Sequence, residues 1–194
     1  KLVSAAKLRR AQQNIVNLRP YAKSLLTLIA DVSETQKVSH PLLEPKPQPR
    51  SALYLIVASD RGLCGSFNSS IAKFTENVIA EKQKGYDKLD FIFVGRRVNE
   101  YFARRDIKPI DYITGLDKDI SYELAAKVAN QVIEAFKSGD YDEIRVVYNE
   151  FKSAISQEVV EEAILPIDTK EVNSFDQSEG QPFAKDLIFE PSPE

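Results

Sequence analysis

ALYLIVASDRGLCGSFN, Ala52 to Asn68, joins an apolar run to a turn that holds two glycines, an arginine and the chain's only cysteine. The run Ala52–Ala58 has strand length and no polar alternation, the pattern of a strand buried on both faces. Phe67–Lys84 follows with Ile71, Phe74, Val78 and Ile79 at helical spacing. A buried strand therefore feeds a glycine-bearing turn and then a helix. That layout belongs to phosphate-binding loops, and equally to tight strand-to-helix turns that hold no ligand.

The same alternation continues downstream. Leu89–Val94 (LDFIFV) reads as a second strand, Arg96–Arg104 as a short helix and Pro109–Ile113 as a weaker strand. Ser121–Lys137 reads as a helix with Leu124, Val128, Val132 and Phe136 four residues apart, Glu143–Glu150 as a strand, and Glu158–Ile167 as another. Strand and helix in turn predict an α/β domain of three layers over residues 52–167, with a mostly parallel sheet and right-handed crossovers. The polar, acidic segment 168–194 reads as a tail.

Upstream the period changes. Leu8, Ala11, Ile15, Leu18, Ala22, Leu25, Ile29 and Val32 alternate in spacings of three and four, an a/d seam. Residues 1–36 are expected to form one long coiled-coil helix, half of a pair, for which no other segment has matching length and pattern. Pro20 is expected to bend it, since a helical proline loses a backbone hydrogen bond and crowds the preceding turn. Residues 37–51 form a linker: His40–Arg50 (HPLLEPKPQPR) carries four prolines and is expected to be stiff and without regular structure.

Composition excludes several chemistries. The 194 residues are 43% hydrophobic and 28% charged, ordinary for a globular protein. No apolar run is long enough to span a membrane, and KLVSAAKLRR lacks the apolar core of a secretion signal. Cys64 alone forms no intrachain disulfide, and His40 alone argues against a histidine triad or a histidine-rich metal site. The net charge of −3 hides a gradient. Lys1, Lys7, Arg9, Arg10, Arg19 and Lys23 precede any acid, whereas the residues from Asp140 onward are dominated by Asp and Glu. One end attracts an anionic partner and the other repels it. A start at Lys1 rather than methionine suggests a fragment or a processed form.

Four site readings follow from the residues. Gly62 and Gly65 fit neither G-x-G-x-x-G nor G-x-x-x-x-G-K-[ST], and Asp90 half meets the demand for an acid near a ribose. Nucleotide binding is thus a weak signal. Cys64 has Arg61 nearby but no base close in sequence, so it reads as a contact residue rather than a nucleophile. The pairs Glu161/Glu162 and Asp117/Asp119 read as solvated faces. The basic helix shares its length with the seam and has no aromatic residue before Tyr21, which disfavours a nucleic-acid arm. What remains is a non-catalytic α/β module with a long basic helix.

Three stretches in order, LVSAAKLRRAQ with RPYA, SDRGLCGSFN, and LIFEP, resemble the gamma subunit of F-type ATP synthase along essentially the whole chain. The resemblance implies a Rossmann-like domain clasped to an antiparallel coiled coil, with further helix before Lys1 and after Glu194. It implies a rotor, or central stalk, without cofactor, metal or active site of its own, turning inside a hexamer of alpha and beta subunits. Its foot would stand with epsilon on the c-ring, at the cytoplasmic face of a bacterial inner membrane. Arg61, Gly62, Leu63, Cys64 and Gly65, with Leu2, Lys7, Arg9 and Arg10, match the part facing an acidic lever of the beta subunits. Phe189 and Glu190 match foot residues near the c-ring and epsilon, with phenylalanine where the family usually has tyrosine. The alternative class is a small Rossmann-like nucleotide-binding enzyme with a dimerising helix.

Overall fold

The computed structural model describes residues 2–36, 39–115, 122–153 and 156–168, with the side chains of residues 2–5, 7 and 34–36 outside that description. The chain divides into two compact units, Lys1–Leu43 with Asp168–Glu194, and Glu44–Ile167.

In the first unit, α1 (Leu2–Gln36) is one helix of 35 residues that runs through Pro20 without interruption. Its Ala, Leu, Gln, Lys and Arg content favours the helix enough to carry the proline's lost hydrogen bond. Leu8, Ala11, Ile15, Leu18, Ala22 and Leu25 are exposed and Ile29 and Val32 half-buried. The other described element of this unit is a single 3-10 turn, Pro41–Leu43, closed by Leu43 N–H donating to the His40 carbonyl at 2.8 Å. No helix stands opposite the seam among the unit's described residues. The turn also corrects the expectation that His40–Arg50 holds no regular structure: Pro41, at the first position of the turn, brings the φ that a helical turn needs and has no N–H to leave unpaired.

The second unit is a five-stranded sheet in the order β3-β2-β1-β4-β5. Its strands are β1 (Ser51–Val57), β2 (Lys88–Val94), β3 (Asp111–Ile113), β4 (Glu143–Ser153) and β5 (Ser156–Leu165), and its helices α2 (Phe67–Lys82), α3 (Arg96–Ala103) and α4 (Tyr122–Lys137). β1 pairs in parallel with β2 and β4, and β2 with β3, while β4 and β5 pair antiparallel. The chain steps outward from β1 to β3 and then returns past β1 to β4. Right-handed crossovers therefore place α2 and α3 on one face and α4 on the other, which gives the three layers and mostly parallel sheet expected from sequence.

β1 is central, and alternate residues serve opposite cores. Ala52, Tyr54 and Ile56 pack with Ile71 and Val78 of α2, Val98 and Phe102 of α3, and Phe91 and Phe93 of β2. Leu53 and Leu55 point the other way and are also buried, as are Val132 and Phe136 of α4. Phe93 stacks on Phe102 with ring centroids 5.3 Å apart.

The reading of Glu161/Glu162 as a solvated pair holds only for Glu162, which is exposed and accepts from the Tyr148 hydroxyl at 3.0 Å. Glu161 lies on the α2 face. It accepts from Tyr54 Oη at 3.0 Å, Lys82 Nζ at 2.6 Å and Arg145 Nε at 2.5 Å. Arg145 also pairs with Glu143 at 3.2 Å, and Glu143 accepts from the Tyr86 hydroxyl. Register explains the cluster: Tyr54 stands opposite Arg145, and Val147 opposite Glu161. Burial alone would raise the Glu161 carboxyl, but Lys82, Arg145 and the Tyr54 hydroxyl hold it below its ordinary range. Burial and the Glu161 carboxylate push the Tyr54 phenol far up, and burial with Glu143 pushes Tyr86 up to about 12. The other expected carboxylate pair, Asp117/Asp119, lies outside the described residues.

A second anchor ties the proline-rich stretch to the sheet. Asp142 accepts from the backbone N–H of Arg50 at 2.7 Å and of Ser51 at 3.0 Å, and pairs with Lys46. The Lys46 ammonium, and then those two amides, hold the Asp142 carboxyl at about 2.

Two predictions follow from these anchors. Glu161→Ala leaves Lys82 without its acceptor and Arg145 with Glu143 alone, and is expected to cost about 2–3 kcal/mol in urea unfolding, below the figure for a fully buried pair because Lys82 reaches water. Asp142 has a folded pKa below its unfolded value of about 4. Its contribution is thus complete above about pH 4 and is lost as pH falls toward 2. The stability gap between the natural chain and Asp142→Asn, measured by denaturant midpoint, is expected to close across that window.

Candidate functional site

The site is the turn after β1. A strand paired on both edges ends at Ala58, whose N–H donates to the Val94 carbonyl at 2.8 Å. Asp60 then turns inward and is only 8% exposed. Its Oδ1 accepts from the backbone N–H of Arg96 at 2.8 Å and its Oδ2 from that of Gly115 at 2.8 Å. A carboxylate at the first turn of α3 fills an otherwise orphaned helical N–H and faces the positive end of the helix dipole. The Asp60 carbonyl accepts from Arg96 Nε and Nη2 at 3.2 and 3.0 Å, and the Ser59 carbonyl from the Arg97 N–H at 3.1 Å. The loop is clamped to α3 by backbone and side chain together.

Close approach at that clamp depends on Gly95. Its φ is +110°, and a Cβ there would sit 2.5 Å from the Ala58 carbonyl oxygen. The loop's two glycines act differently from each other. Gly65 has φ +61° and turns the chain in open space, as does Leu63 at φ 61°. Gly62 is not left-handed; a Cβ there would meet the Arg97 guanidinium at 2.9 Å. The bare backbone of Gly62 makes room for Arg97 rather than turning the chain through left-handed φ.

Inside the loop, polar groups are spent on one another. Asn68 Oδ1 accepts from the Ser59 N–H at 3.0 Å, and its Nδ2 donates to the Arg61 carbonyl at 3.1 Å and reaches Cys64 Sγ at 3.0 Å. The Ser59 hydroxyl donates to the Arg61 carbonyl at 2.6 Å. The Asn68 amide occupies the concave side of the turn, where a phosphate would need free backbone donors. Asn149 Nδ2 donates to the Phe67 carbonyl at 3.1 Å, spanning the β1/β4 switch point at which doubly wound sheets take ligands. Asp90 lies inside β2, not at its carboxyl end, and accepts from the Tyr141 hydroxyl at 2.7 Å. Asp90 is thus not placed as a ribose acid.

Of the residues singled out in the sequence, Arg61, Gly62, Leu63, Cys64 and Gly65 come together in this one turn. Leu63 is fully exposed, and Arg61, Cys64 and Gly65 are exposed beside it. Arg9 and Arg10 are exposed on α1, in the other unit. Leu2 and Lys7 have side chains outside the description, and Phe189 and Glu190 lie outside the described residues. Sequence reasoning missed Asp60 and Asn68, which hold the turn. The available signal was an acid directly after a buried strand, eight positions before an Asn at the opening of a helix. Among the described residues no group of His, Cys, Asp and Glu has the arrangement of a metal site.

Comparison with known proteins fits this geometry. A family model described as ATP synthase matches residues 1–194. The chain is 57% identical over its whole length to an ATP synthase gamma chain of Bdellovibrio bacteriovorus and spans 66% of that protein. It is 41% identical over 87% of its length to an ATP synthase gamma chain of an Anaeromyxobacter species, spanning 59% of it. In fold it is similar to a chain in the central stalk and c-ring structure of the Tetrahymena thermophila mitochondrial ATP synthase. That match has a TM-score of 0.53 at 23% identity and covers 89% of this chain and 79% of that one. An α/β module carrying an exposed loop, in a chain that also holds a long helix, is the class these features define. The chain belongs to the ATP synthase gamma chain family, and it spans about three fifths to two thirds of the curated relatives it matches.

The two glycine positions make a test of the clamp. Gly95→Ala is expected to lower stability by well over the roughly 1–2 kcal/mol that left-handed backbone alone costs a residue with a Cβ, because its methyl meets a carbonyl oxygen. Gly65→Ala, facing open space, is expected to stay within that range. Thermal unfolding of the two variants measures the contrast.

Proposed function

We propose that the chain is rotor material: the axle helix and globular foot of the central-stalk gamma subunit of an F-type ATP synthase. In this reading it couples proton-driven rotation of a c-ring to ATP synthesis or hydrolysis in an alpha/beta hexamer. The observation that carries it is the match of the ATP synthase family model over every residue of the chain, with ATP synthase gamma chains among its relatives. The catalytic nucleotide sites lie in other subunits, and this chain has a mechanical task. Residues 1–36 are half of the axle, 37–51 a linker, 52–167 the Rossmann-like domain, and 168–194 the lead into a second axle helix that covers the seam.

The loop Arg61–Gly65, with Leu2, Lys7, Arg9 and Arg10, faces an acidic lever of the beta subunits. Exposed cations against such a lever give attractions of at most about 1 kcal/mol each, screened by salt. Weak contacts suit a bearing that slides, since strong ion pairs would hold one angle. Phe189 and Glu190 belong to the foot, against epsilon and the c-ring. No helix among the described residues is long and apolar enough to cross a membrane, so membrane association runs through the c-ring. Bacterial relatives support a place at the cytoplasmic face of a bacterial inner membrane.

The test is charge reversal in the assembled complex. A gamma subunit carrying Arg9→Glu, Arg10→Glu and Arg61→Glu is expected to lower ATP-driven proton pumping several-fold, while the α/β unit melts at its usual temperature. Pumping that stays unchanged would sink the bearing reading.

A further inference from the structure

We propose that the ion pair between Lys46 and Asp142 is a strap: it holds the proline-rich stretch against the start of β4 and so sets the direction in which the chain leaves the α/β unit toward α1. With the strap closed, swinging at this connection is confined to the residues ahead of Lys46. The chain joins its two units twice, after Leu43 and after Ile167. In the rotor reading the strap stiffens the first of these connections, but its test uses this chain alone, so either proposal can fail without the other.

The stretch cannot be held in the usual way. Pro45, Pro47 and Pro49 have no N–H to give, so residues 44–50 cannot join the sheet as one more ladder. The hold passes instead to one carboxylate. Asp142 Oδ2 accepts from the backbone N–H of Arg50 at 2.7 Å and of Ser51 at 3.0 Å, and its Oδ1 accepts from the Lys46 ammonium. Asp142 is itself fixed, its own N–H donating to the Ser51 carbonyl at 2.8 Å. Arg50 is pinned a second time, since its carbonyl accepts from the N–H groups of Asp87 and Lys88 at 2.7 and 3.2 Å. Backbone therefore fixes the stretch at Arg50 and Ser51, and a side chain adds the hold at Lys46.

Two points fix a direction where one permits a pivot. The chain bends at residues 47–48, which brings Lys46 back to the carboxylate that already holds Arg50. Each proline sets its own φ and restricts the residue before it, so Glu44, Lys46 and Gln48 have little freedom to lose when the strap closes. Opening it moves the pivot from Lys46 to Arg50 and frees an arm of roughly 12 Å at about 3.1 Å per extended residue. Upstream, the turn Pro41–Leu43 is closed by its own hydrogen bond, which leaves Glu44 and Pro45 between turn and strap. The Lys46 side chain is 56% exposed and that of Asp142 12%. A pair that water reaches from its cationic side is loosened by salt, while the backbone bonds at Arg50 and Ser51 remain.

Spin labels on the two units test the strap. In a chain with Cys64→Ser, the exposed positions Asn14 and Asn130 take labels through Asn14→Cys and Asn130→Cys, and pulsed dipolar spectroscopy gives the distribution of distances between them. Lys46→Ala is expected to widen that distribution at least about twofold, and Lys46→Arg to leave it narrow. Lys152→Ala, which removes a different ion pair on β4, is expected to leave it narrow as well. Labels placed within the α/β unit through Glu81→Cys and Asn130→Cys are expected to give the same distance in every variant. Equal widths with and without the Lys46 side chain would overturn the proposal, and so would equal widening by Lys152→Ala. Widening of the pair within the α/β unit by Lys46→Ala would make the effect a loss of fold and overturn it too.

Discussion

The loop's shape depends on one buried carboxylate. Asp60 bridges the first helical N–H of α3 and the N–H of Gly115, so a single side chain joins the ends of β1 and β3 to the start of a helix. The bridge is favourable because both amides would otherwise be orphaned at the carboxyl edge of the sheet, and because a carboxylate suits the N-terminal end of a helix. It also fixes where Arg96 and Arg97 lie, since their backbone amides bond to Asp60 and Ser59. With those two placed, Arg61, Leu63, Cys64 and Gly65 stand exposed beside them. Gly95 is the backbone condition for this arrangement, because only a residue without Cβ lets the loop come so near the end of β2.

The opposite end of the sheet is held by charge. Around Glu161 of β5, strands β1 and β4 and helix α2 each contribute a partner. Such a cluster is costly to bury and adds little net stability relative to an apolar core. Its effect is on register. A slip of one residue in β5 would turn Glu161 to the other face, leaving Lys82 without its acceptor and Arg145 with Glu143 alone. The antiparallel edge strand, the one departure from parallel order, is thereby tied to the central strand two positions away.

Much of the α/β alternation was legible because continuous apolar runs and helical spacing are local signals. Ala52–Ala58 and Leu89–Val94 differ from the observed strands by a residue or so at their ends, and α2 and α4 fall where the spacing of Ile71, Val78, Val132 and Phe136 puts them. What sequence could not give depends on distant partners. Glu161 reads as a surface acid until Arg145 and Tyr54 are brought beside it, and Tyr54 itself hides a hydroxyl within an apolar run. Asp142 and Lys46 lie far apart in sequence yet join a proline-rich stretch to the sheet. Gly62 shares a turn with Gly65, and their spacing alone does not tell their roles apart. The difference between them rests on Arg97, a neighbour that only the fold supplies.

The resemblance of this loop to a phosphate cradle is physically instructive. Both kinds of loop need glycine to bring bare backbone close to something, so spacing of glycines alone separates them poorly. The donor account separates them well. A phosphate loop keeps its N–H groups free and convergent. Here Asn68 takes the Ser59 N–H and fills the hollow with its own amide, which also grips the Arg61 carbonyl. A loop braced from inside holds Leu63 fully in solvent, with Arg61 exposed beside it. That property suits the bearing surface proposed for this loop. Rigidity comes from within the turn, and contact strength is left to exposed charges that salt and motion can loosen.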